Sequence, residues 1–192
     1  QTGTLKRIHT EDALSSPDAV LWLGRRLEDF IFYLDAQDRL YEVISEEELT
    51  YAYKRLALAF NRMVRKYWDG EEELFTVHYG DSWMDTIPVE HPLDIQALLL
   101  GFVASLRVIA DLIGRSKDVK RYHDLEIGLR SNIRNKYVRN GMHLYNEIHE
   151  DRLTPNCFLA HYLYPELFVE EDWKKIFDVA LKELKTPWGG LR

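Results

Sequence analysis

The run Leu93-Asp94-Ile95-Gln96-Ala97-Leu98-Leu99-Leu100-Gly101-Phe102-Val103-Ala104-Ser105-Leu106-Arg107-Val108-Ile109-Ala110-Asp111-Leu112-Ile113 decides the fold class. It is apolar nearly all round and long enough to cross a bilayer. It also carries Asp94, Gln96, Arg107 and Asp111, and charges deep in a membrane span are costly. A helix buried inside protein on all sides satisfies both facts. Arg107 and Asp111 stand four apart, the spacing of a helical ion pair.

Outward from this run the periodicity is helical almost throughout. Before it, Pro17 opens a helix behind Ser16 as N-cap, with Val20, Leu23, Leu27, Phe30, Ile31 and Leu34 as one buried stripe. After a turn at 37–42, Ser45 and Glu48 have the spacing of a capping box. Leu49, Tyr53, Leu56, Phe60, Met63 and Tyr67 then make the stripe of the second helix, stopped by Gly70. Beyond the apolar run, Gly114 ends the third helix. A one-sided fourth covers about 117–138, with Val119, Tyr122, Leu125, Leu129 and Ile133 inward. A short fifth helix covers about 157–164. A sixth, about 170–185, opens with acids, closes with lysines and turns Trp173, Ile176, Phe177, Ala180 and Leu184 inward. Short strands are expected at 74–77 and 144–148.

The expected fold is therefore all-α, with six helices in three hairpins. An all-round apolar helix beside one-sided neighbours implies alternating inner and outer positions. The hairpins are irregular in length and separated by long loops, whereas helical repeat arrays keep a fixed period. Loops beyond a dozen residues in a compact helical domain usually carry function.

Composition narrows the function. A net charge of −7 argues against nucleic acid, whose binding rests on clustered Lys and Arg. The basic residues Arg130, Arg134, Lys136 and Arg139 read as a solvated helix face. One cysteine, Cys157, gives no internal disulfide, which fits a reducing cytoplasm. The seven histidines lack metal-site spacing, and Glu147, His149, Glu150 and Asp151 read as a solvated loop rather than a metal cluster. No cofactor motif stands out: Ser82 is not in a nucleophile elbow, and Gly189-Gly190 lacks a phosphate-loop context.

The loop Tyr79-Gly80-Asp81-Ser82-Trp83-Met84-Asp85-Thr86 is the richest in chemistry. A carboxyl group beside Trp83 and Met84 is in an apolar setting that favours its protonated form, as a general acid requires. An indole face suits the C–H face of a sugar ring. The residues alone leave open a plainer reading, in which Asp81 or Asp85 caps a turn and Trp83 packs in the core.

Five stretches in order resemble the amylo-α-1,6-glucosidase domain of glycogen debranching enzymes. Asp18-Ala19-Val20-Leu21-Trp22 is similar to that family's D-A-x-L-W, and Ser82-Trp83-Met84-Asp85 to its T-W-M-D. Pro92-Leu93-Asp94-Ile95-Gln96-Ala97-Leu98 resembles P-V-E-I-N/Q-A-L-W, with Leu99 where Trp often stands. Pro155-Asn156 matches part of R-P-N-Q, with Thr154 and Cys157 departing, and Thr186-Pro187-Trp188-Gly189-Gly190-Leu191-Arg192 looks like T-P-x-G-L-R-T with one extra glycine.

The resemblance implies about half of an (α/α)6 toroid and hydrolysis of an α-1,6-linked glucose on glycogen or a branched maltodextrin. It implies an inverting mechanism, with carboxyls roughly 6.5–9.5 Å apart to admit a water. Carried over by position, Asp85 is the general acid and Trp83 lines the glucose subsite. Asp18, Asp94, Gln96 and Asn156 bind hydroxyls or support the site. The second carboxylate lies beyond the Thr-Pro turn in this family. Residues 1–192 thus read as a single segment of a longer domain, inactive alone and prone to self-association through uncovered inner helices. The competing readings are another toroid sugar enzyme (trehalase-like, or an epimerase) and a non-catalytic helical scaffold.

Overall fold

A computed structural model describes residues 5–6, 15–77 and 89–191. The architecture is mostly helical, and the helices fall into two rows.

The first row is α1 (Pro17–Asp35), α4 (Leu93–Leu112) and α6 (Asn156–Leu163). These three run parallel. Gly24 of α1 faces Phe102 of α4, and one turn on, the Ser105 hydroxyl donates to Glu28 at 2.8 Å. On the other side, the Asn156 amide donates to Asp94 at 3.1 Å. Seven residues further along both helices, the Leu163 carbonyl covers Gly101. A Cβ on Gly101 would lie 3.0 Å from that oxygen, so α6 approaches α4 closely because position 101 has no side chain. The α4 helix has the length and apolarity of a membrane span but is buried within the fold, its Asp94, Gln96 and Ser105 included.

The second row is α3 (Glu46–Tyr67), α5 (Ser116–Tyr137) and α7 (Glu170–Leu184), which run opposite to the first. Phe60 of α3 stacks on Phe102 with ring centroids 6.2 Å apart, while later residues of α3 meet earlier ones of α4 around Leu99. Arg107 donates to Glu126 at 2.7 Å, and Tyr137 at the end of α5 reaches His91 just before α4. On α7, Trp173 packs beside His161 and Phe177 beside Phe158. The expected pairing of Arg107 with Asp111 is replaced by the bond to Glu126, because the neighbouring helix offers a buried carboxylate while Asp111 is exposed.

Both α3 and α5 end in Lys-Tyr and continue into a two-stranded hairpin. Here β3 (Trp68–Asp69) pairs with β4 (Leu74–Phe75), and β5 (Val138–Arg139) with β6 (His143–Leu144). In each, the helix-ending tyrosine carbonyl accepts one further bond, from Thr76 to Tyr67 at 2.7 Å and from Tyr145 to Tyr137 at 2.9 Å. A third pair, β1 (Leu5–Lys6) with β2 (Ser15–Ser16), precedes α1. The expected strand at 144–148 is thus shifted upstream, because its pairing partner is Val138–Arg139, directly after α5.

Two further corrections concern helices. A short helix, α2 (Leu40–Val43), lies largely within the expected turn, and a 3-10 turn (Pro165–Leu167) follows α6. The stripe of α1 is also rotated. Leu23 and Phe30 are 53% and 44% exposed, whereas Leu21, Gly24 and Glu28 are buried against the core. Gly24 and Glu28, not Leu23, carry the contact with α4, because a bare backbone lets the Phe102 ring in. The α3 stripe is buried as expected, and its Ser45–Glu48 capping box is formed in both directions.

Candidate functional site

Because α1, α4 and α6 are parallel, their N-termini share one end of the molecule. Each of these starts joins a proline to a short polar side chain. Pro17 is followed by Asp18, Pro92 by Leu93 and Asp94, and Pro155 by Asn156. Proline fits a helix start because its missing N–H would have had no partner there. The polar side chains project where the helix dipoles are positive.

Asp18, Asp94 and Asn156 are all buried. Asn156 Nδ2 donates to Asp94 Oδ1 at 3.1 Å and to Asn146 Oδ1 at 2.7 Å, and the Thr154 hydroxyl donates to the same Asn146 oxygen at 3.2 Å. Asp94 and Asn156 are therefore joined directly. Asp18 stands in the first turn of the neighbouring α1, its Oδ1 accepting from Ala19 N–H at 2.8 Å.

Gln96 is turned elsewhere. Its Oε1 accepts from Phe75 N–H at 2.9 Å and its Nε2 donates to Phe75 C=O at 2.7 Å, so it pairs with β4 as another strand would. Its amide supports the chain leading into the loop at 78–88. Asp85 and Trp83, the candidate acid and glucose platform, lie outside the described residues.

What is described is how the residues on either side of 78–88 are held. Immediately before it, Val77 N–H donates to Glu90 C=O, just after it, at 2.8 Å. Val77 and Glu90 therefore lie side by side. Glu147 accepts from the backbone N–H groups of Glu90 at 2.8 Å, His91 at 2.7 Å and Ile148 at 2.8 Å. The Tyr137 hydroxyl donates to His91 C=O at 2.6 Å, and His91 Nε2 lies 3.1 Å from Asp69 Oδ2. Asp69 is held below the ordinary carboxylate range chiefly by the backbone N–H groups of Glu71 and Glu72. Burial, with Glu147 and Asp94 close by, pushes the Tyr137 phenol well above its usual value, so it remains a donor.

This corrects the reading of Glu147 as solvated, while His149, Glu150 and Asp151 of the same turn are exposed as expected, and it revises the reading of the basic residues of α5 and β5. Glu147 is 6% exposed and is a bonded internal carboxylate. Arg139 donates to the carbonyls of Lys136, Glu147, Ile148 and Glu150 and to Asp151, so it stitches the 146–152 turn together. Arg134 donates to Leu167 C=O, and Lys136 bonds Glu72 at 2.5 Å. Arg139 and Glu147 were hidden because their value lies in backbone partners across a turn or 56 residues away, which leave no spacing to read. The repeated Lys-Tyr before each hairpin was the available signal.

Elsewhere, burial pushes the Cys157 thiol up to about 12, so it stays protonated and packs as an apolar group. Among the described residues, no cluster of three His, Cys, Asp or Glu side chains is arranged to hold a metal ion.

The domain is mostly helical, and the side chains of Asp18, Asp94 and Asn156 collect at the common end of three parallel helices. A family model described as amylo-alpha-1,6-glucosidase matches residues 9–192. The chain belongs to that family, the glucosidase domain of glycogen debranching enzymes. A search of curated proteins returned no match.

Proposed function

We propose that this chain provides the acid-bearing half of a debranching glucosidase, which hydrolyses a single α-1,6-linked glucose from glycogen or a branched maltodextrin in the cytoplasm. The carrying observation is the family match over residues 9–192, together with Asp18, Asp94 and Asn156 gathered at one end of three parallel helices. Three inner helices with three antiparallel outer ones are what half of an (α/α)6 toroid requires.

In this reading Asp85 donates a proton to the glycosidic oxygen as the bond to the anomeric carbon breaks. Trp83 packs on the glucose ring. Asp94 and Asn156, fixed on each other, and Asp18 beside them, accept from or donate to glucose hydroxyls. Gln96 supports the loop through Phe75 rather than touching sugar. A second carboxylate activates water on the opposite face of the ring, and the resemblance puts it after the 186–191 turn. The segment alone then releases no glucose.

The test is proton NMR of the full-length protein acting on a dextrin with single-glucose α-1,6 stubs. Inversion gives β-glucose as the first product, and linear maltodextrin is left intact. Initial α-glucose, or no glucose at all, would overturn the reading.

A further inference from the structure

The geometry points to a second ligand site on the outer row of helices, a slot between α3 and α5 that takes a small carboxylate with a medium-length apolar tail, such as octanoate. It lies apart from Asp18, Asp94 and Asn156 at the inner helix starts and does not depend on the hydrolytic reading.

The slot encloses about 280 Å³. Its floor is Phe60, Phe75 and Leu99, all buried, and Val64 and Trp68 form one wall. Among the described residues that line it, Arg121 is the one that carries a charge.

The space exists because α3 and α5, which run in the same direction, are tied at two places and part between them. The Arg121 guanidinium donates to Asn61 at 3.2 Å, and Asn132 Nδ2 donates to the carbonyls of Glu72 and Glu73 at 2.8 and 3.0 Å. Positions 121, 125, 128 and 132 share one face of α5. At position 128 the side chain is missing, and a Cβ on Gly128 would meet nothing within 4 Å. From Arg121 to Asn132 the helix rises about 16 Å. The ties close the slot at both ends, so a partner helix laid along it would have to displace them. The volume falls just below the range of about 300–1,000 Å³ for drug-sized ligands. One short chain fits both limits.

The charge selects the head group. Arg121 is exposed, and Asp118, which feels the same charge, is bonded to Arg115. An apolar slot with a single guanidinium at its edge pairs with a carboxylate that carries one aliphatic tail.

Isothermal titration calorimetry of the full-length protein with octanoate, hexanoate and octanol tests this. Octanoate should bind one to one with a Kd of about 1 mM or tighter. Hexanoate should bind about tenfold more weakly, because two methylenes fewer are buried. Octanol should bind about fivefold more weakly than octanoate, and Arg121→Gln should bring octanoate down to that level while leaving octanol unchanged. Gly128→Leu sets a side chain over the slot and should remove binding of all three. Leucine also favours a helix over glycine, so this variant should fold. Should it fail to fold, Val64→Phe narrows the slot from α3 and carries the same expectation.

No saturable binding of octanoate would overturn the site, and so would binding that the folded blocking variant leaves unchanged. Octanol held as tightly as octanoate, or Arg121→Gln weakening both alike, would overturn the carboxylate as its ligand. Self-association abolished by Gly128→Leu, with no octanoate bound, would give the slot to a second copy and overturn the proposal. Glucose release enters none of these readouts, so failure of the hydrolase reading is told apart from failure of the site.

Discussion

At the scale of single residues, Asn156 shows how a helix-start side chain ties two neighbouring segments together. It gives one hydrogen to Asp94 and one to Asn146, so truncation removes one donor from each of two buried side-chain oxygens, Asn146 Oδ1 keeping the Thr154 hydroxyl. Asn156→Ala should cost about 1–3 kcal/mol, measured by urea unfolding. Asp94, Asn156 and Asp18 drew notice in the sequence because each follows a proline at a helix start beside a quoted motif, and the structure shows all three buried with Asn156 bonded to Asp94. Glu147 was not. Charged residues in a polar turn usually face water, and only the fold brings the backbone of Glu90 and His91 to this one. Cys157 was legible as a small buried residue. With its thiol pushed up to about 12, it should resist a thiol-reactive dye at pH 8 in the folded protein and react promptly in urea. Rapid labelling of the native protein would contradict this.

Among the elements, those whose burial follows their own periodicity were read best. The α3 stripe is buried throughout and its capping box is formed, so Ser45→Ala should cost about 1 kcal/mol and lower the unfolding midpoint without other change. The stripe of α1 was misjudged because hydrophobicity named Leu23 and Phe30, whereas close packing chose Gly24. Small residues give no hydrophobic signal yet decide which face another helix can approach. Gly101 tests the same point. An alanine there meets the Leu163 carbonyl at 3.0 Å, and since a backbone oxygen cannot turn aside, Gly101→Ala should destabilise by about 1–3 kcal/mol. A stability equal to or above wild type would show that α4 and α6 are less tightly apposed than described.

For the whole molecule, the all-α class was read from a single contrast, an all-round apolar helix beside one-sided neighbours, and the structure is mostly helical with α4 buried. The hairpins that follow α3 and α5 were only half read, since each second strand pairs with the two residues directly after the preceding helix. Stability against acid is also a property of the whole. Asp69, Glu72 and Asp118 have lowered folded values, chiefly from backbone N–H groups, Lys136 and Arg115 respectively. Their contribution is present above the ordinary carboxylate range and is lost as pH falls through those lowered values. Glu28 is raised, mainly by burial, so its sign is opposite, and stability is gained as pH falls through its folded value. Glu28→Gln removes that gain, and its urea midpoint should therefore fall further than wild type between pH 7 and pH 3. The proposal at the centre is that this family member is a hydrolase whose proton comes from Asp85. Glucose release from an α-1,6-stubbed dextrin by full-length Asp85→Asn tests it most directly. The expected result is a loss of at least about 100-fold with an unchanged unfolding midpoint; a rate near wild type would contradict it.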